Sequence, residues 1–129
     1  MNQYACVVGR GKRQRVHLGP LALRLPPIQL AALVAHESAH IDLGHRQQRV
    51  AWLFTGEWMH PRRWQAKVWQ QEFDADKQAA ESGHSWGLMA FLMRIKHHPS
   101  GFWHPPTRDR IKRISAISQQ LAEQALKRN

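Results

Sequence analysis

Residues 36–40 read HESAH, and residues 72–76 read EFDAD. Each stretch holds two metal-binding or proton-binding side chains four residues apart, which on a helix means one face, one turn apart. His36 and His40 so placed can share one zinc ion, with Glu37 beside them aimed at a zinc-bound water. Catalytic zinc needs three protein ligands and an open position, so the third ligand decides the reading. His45 is close in sequence, but a His-rich extension of the motif would need Gly at 43 and His at 46. This chain has Leu43 and Arg46 there. His60 falls in an irregular aromatic stretch. Glu72 is the better candidate, because Asp76 on the same helix face can accept the second ring N–H of a liganding histidine and fix its tautomer. Asp74, two residues on from Glu72, should face elsewhere.

These residues need elements to hold them. The stretch YACVV is apolar and β-prone, GRGK has turn chemistry and QRVHL partly alternates, so residues 4–18 read as two short strands. Pro26 and Pro27 suit the first turn of a helix over 28–43, rich in Ala and Leu, with Gly44 as its stop. HESAH then lies in the second half of that helix. Residues 52–59, WLFTGEWM, have no clear assignment. Pro61 opens a second helix closed by Gly83, which carries EFDAD. WGLMAFLMRIK reads as a third helix, apolar nearly all round and therefore expected to be buried. HHPSGFWHPP is a loop, and Thr107 should cap a last helix with Ile111, Ile114, Ile117 and Leu121 as its apolar stripe. The expected class is α+β, mostly helical with a small N-terminal antiparallel sheet, forming one domain over residues 1–129.

A chain of 129 residues with one cysteine, Cys6, cannot form an internal disulfide or a Cys-based structural zinc site. No signal peptide and no run long enough to span a membrane is evident, so the expectation is a soluble, cytoplasmic protein. Nineteen Lys and Arg against nine acids give a net charge of +10. That charge is spread over GRGKRQR, HRQQR, PRRW, RDRIKR and KRN, a pattern of solvated basic faces. No nucleic-acid motif accompanies it, so nucleic acid is not the expected partner. His45, His60, His84, His97 and His98 read as packing or surface histidines. The six Trp read mainly as core or loop packing, with residues 52–64 a candidate contact surface.

The ordered blocks LAALVAHESAHIDLGH, EFDAD, SGHSWGLMAFL and HPPTRDRIKRI resemble the peptidase core of the HtpX-like and CAAX-prenyl-protease gluzincins, over about residues 4–117. That resemblance implies a zincin-like fold and a zinc-dependent metalloendopeptidase. His36, His40 and Glu72 would be the zinc ligands, Glu37 the general base and Asp76 the residue that orients a ligand. His104 and Arg110 match downstream positions near the family's active site, and either would stabilise the oxyanion, His104 ahead of Arg110. The strand Tyr4, Ala5, Cys6, Val7, Val8 would pair with an extended peptide or protein substrate. The chain lacks the membrane helices of the larger relatives and looks like a compact minigluzincin, a class in which a terminal segment can hold the enzyme latent. Self-association and self-inhibition are therefore open. Two other readings compete: a zinc-stabilised interaction module without turnover, and a nucleic-acid-associated basic protein.

Overall fold

A computed structural model describes residues 4–98 and 101–128. Pro99 and Ser100, within the expected loop, lie outside the described residues, as do residues 1–3 and 129. Strands β1 (Ala5–Val8) and β2 (Arg15–Leu18) pair antiparallel, with Ala5 opposite Leu18 and Val8 opposite Arg15. Among the described residues, five α-helices follow: α1 (Pro27–Asp42), α2 (His45–Phe54), α3 (Pro61–Ala79), α4 (Ser85–Arg94) and α5 (Thr107–Arg128). The class is α+β and mostly helical, as expected from the sequence. Among the described residues, no helix is long and apolar enough to cross a membrane.

Helix α1 is central. Pro27 in its first turn is pre-set for helical φ, and Gly44 ends it in the left-handed region at φ 68°. Its buried residues Ala32, Leu33, His36 and Ala39 form one stripe, packed between α3, α4 and β1. On α3 the buried set Val68, Gln71, Glu72, Ala75, Asp76 and Ala79 follows the i, i+3, i+4 spacing of a single face. Three of those six are polar, so the α1–α3 seam is partly a polar network. The apolar core lies beside it, around Leu33, Leu88, Phe91, Leu92 and Ile114, with Tyr4 edge-on to Phe91 at 5.1 Å.

Three expectations change. Residues 45–54 form α2, a helix that the sequence did not suggest. Helix α4 is not buried all round: Leu88, Phe91 and Leu92 are, but Trp86 is 74% exposed and Met93 49%. Among the described residues, helices α1 and α5 cover two sides of α4, and Trp86 and Met93 lie outside that cover. Thr107 is itself the first helical residue, and its side chain makes no cap. The Pro106 carbonyl starts the ladder instead, accepting from the N–H groups of Asp109 and Arg110.

Candidate metal centre and cleft

The turn at Gly44 and the α1–α3 packing bring separate pieces of sequence to one point. His36 Nε2 lies 3.1 Å from His40 Nε2 and 3.2 Å from Glu72 Oε2, and His40 Nε2 lies 3.3 Å from Glu72 Oε1. His36 and Glu72 are buried and His40 nearly so. These three residues can together hold a metal ion. The electrostatics of the donor set favour positive charge at this point. Burial opposes charge on His36, but Asp76 and Glu72 outweigh it and push its pKa up to about 10. Burial alone would raise Glu72; the rings of His104, His36 and His40 instead hold it well below the usual carboxylate range. A buried carboxylate of this kind needs positive charge beside it; Arg49 and Arg110 approach to 3.8 and 3.9 Å, and a proton on His36 or a metal ion would sit closer.

Behind the ligands runs a second tier. Asp76 Oδ1 is 2.8 Å from His36 Nδ1, close in distance although not aligned as a hydrogen bond. Arg110 donates to both Asp76 oxygens, Nε to Oδ2 and Nη2 to Oδ1, each at 2.8 Å. Burial works against charge on both members, but their mutual attraction wins: Asp76 is lowered and Arg110 raised. On the other side, His40 Nδ1 is 2.7 Å from His45 Nδ1. Burial, followed by the neighbouring His40, pushes His45 down to about 4, which favours its neutral form. Gln71 donates to the His45 carbonyl at 3.2 Å and accepts from Arg49 Nε at 2.7 Å.

An open cleft passes over this centre. Glu37, Glu72 and His104 line it, together with Tyr4, Ala5, Cys6 and Val7; Val8 does not. His104 is exposed, with Nδ1 3.8 Å from Glu72 Oε2. Aromatic packing holds its loop: Trp69 Nε1 donates to the Phe102 carbonyl at 2.8 Å, and Trp64 stacks edge-on against Phe102 and Trp103. Arg110 also reaches the cleft, but its donors are directed at Asp76, and its Nη2 stays 3.9 Å from Glu72.

Every predicted site residue except Val8 therefore belongs to one neighbourhood. Asp74 faces away and accepts from Gln70. His45, expected to be a packing or surface histidine, joins this neighbourhood, as do Arg46, Arg49 and Gln71, which the sequence did not point to. The one available signal was spacing: His45 follows His40 by five residues across a glycine. Comparison with family models, curated proteins and solved structures found no match for the chain.

Proposed function

We propose that the chain is a zinc-dependent metalloendopeptidase of gluzincin type, with His36, His40 and Glu72 as ligands of one zinc ion. The observation that carries this reading is the 3.1–3.3 Å spacing of the three donors. Zinc bonds of about 2.0–2.1 Å in a tetrahedron separate neighbouring ligand atoms by about 3.3–3.4 Å, so the donors need to move only slightly. Two histidines and one glutamate, with no thiolate, are a set typical of a zinc site that keeps one position open. Bound there, zinc supplies Lewis acidity, bringing the pKa of coordinated water to about 7 and polarising a carbonyl.

The chain's own residues supply the rest. Glu37 lines the cleft one residue from His36, suited to take a proton from the attacking water and return it to the leaving amine. His104, exposed on the same cleft, can donate to the developing oxyanion. Asp76, clamped by Arg110, holds His36 with Nε2 toward the ligand cluster. Among the described residues, no strand pairs with the second edge of β1, and an extended peptide added there would meet Arg46, which donates to the Val7 carbonyl. Peptide or protein is therefore the proposed substrate. The test is Glu37→Gln, assayed for both zinc content and peptide hydrolysis. The variant should keep its zinc and lose at least about 10²-fold in rate; cleavage at the parent's rate would end this proposal.

A further inference from the structure

The cleft is two chambers that meet over the centre, sharing Ala5, Glu37, Glu72 and His104. The first, about 440 Å³, continues past Cys6 and Val7 to Arg46, Arg49 and Trp103. The second, about 340 Å³, continues past Tyr4 to Leu33, Phe91 and Ile95. An extended peptide crossing the centre along β1 would send residues on either side of its reacting bond into different chambers. The second chamber mixes these apolar residues with His98, Thr107 and Arg110, whereas the first holds the guanidinium groups of Arg46 and Arg49.

Those guanidiniums are poorly neutralised. Arg46 Nη1 donates to the Val7 carbonyl at 3.1 Å, and among the described residues Arg46 meets no carboxylate within 4.0 Å. Arg49 donates to Gln71, and its guanidinium lies 5.7 Å from the centre of the Trp103 ring. Its Nη2 is 3.8 Å from Glu72 Oε1, beyond hydrogen-bond range and on a carboxylate already claimed by His36 and His40. If a divalent ion occupies the centre, Glu72 has still less to give. Two guanidiniums and the ion would then face two carboxylates, leaving the chamber in need of an anion.

Resting on the peptidase reading above, we propose that this chamber selects an acidic side chain in the substrate. Arg46 and Arg49 are its specificity residues, and the acid lies within about two residues of the scissile bond, given about 3.3 Å per extended residue. A carboxylate there gains charge-assisted, potentially bidentate hydrogen bonds from a planar fork already held in place.

The test uses two fluorescent peptides of identical composition. In one, Glu lies two residues from a Leu; in the other the same Glu is moved to the peptide end. Equal net charge cancels any diffuse attraction to the basic protein. Binding is measured on full-length Glu37→Gln chain incubated with zinc, and cleavage of both peptides by the parent is followed separately. The first peptide should bind about tenfold tighter, the scale of a hydrogen bond to a charged group. Arg46→Glu should abolish or reverse that preference in favour of a Lys-substituted peptide. Equal binding of the two peptides, or a preference untouched in Arg46→Glu, overturns the inference even if both are cleaved. A clear preference without cleavage of any peptide would instead uphold the acidic site and count against the peptidase reading.

Discussion

At the residue scale, His45 would take in the proposed zinc site the place that a carboxylate holds in many others. For His40 to offer Nε2 to a metal, its Nδ1 must carry the proton, and His45 Nδ1, 2.7 Å away, is placed to accept it. His45→Ala should lower zinc affinity by about 10–100-fold without unfolding the metal-free chain, as read by competition against a chelator of known affinity. On the opposite flank, Arg110 is the cation that lets Asp76 stay charged while buried. Arg110→Met should cost about 3–5 kcal/mol in urea unfolding, because it strands a buried carboxylate. An effect under about 1 kcal/mol would mean that His36 alone is a sufficient partner.

At the scale of elements, the close seat of α4 on α1 depends on Gly87. A Cβ there would come within 2.3 Å of the Ile28 carbonyl oxygen and 3.0 Å of Ala32 Cβ. Gly87→Ala should therefore destabilise by about 1–3 kcal/mol, seen as a lower melting temperature. Helices α1 and α3 were legible in the sequence because Pro and Gly punctuate them and their buried residues repeat at helical spacing. Helix α2 was not. Its apolar residues Val50, Leu53 and Phe54 are exposed rather than buried, so no core-facing stripe marks it. It is held instead by distant polar contacts, from Arg46 to Val7 and from Arg49 to Gln71 and Glu72. Local patterning carries no record of such pairings. The exposed side of α4 escaped for a related reason: apolar residues reveal a wish for burial, not how many neighbours the fold can supply.

Across the whole molecule, a net charge of +10 leaves few carboxylates, and their placement governs the response to acid. Glu57, in the short turn joining α2 to α3, is clasped by Arg63 and then Lys67, which hold it below the usual carboxylate range although burial pulls the other way. A carboxylate with a depressed folded pKa contributes stability above its unfolded value, about 4.3, and that stability is lost as pH falls through the folded pKa. Glu57→Gln should therefore melt below the parent at pH 7, with the gap closing under about pH 4. A gap that persists unchanged in acid would assign the loss to packing. Helical spacing made His36 with His40, and Glu72 with Asp76, legible as pairs on two faces. The division of the cleft, the support from His45 and the arginines of α2 depend on how the helices cross, which spacing does not contain.

Every role assigned here begins with the claim that His36, His40 and Glu72 hold one zinc ion. The most direct measurement is the zinc content of the chain purified without added metal, set beside His36→Ala prepared in the same way. The account predicts about one zinc per chain in the parent and little in the variant. Equal zinc in both, or none in the parent even after reconstitution, would contradict it.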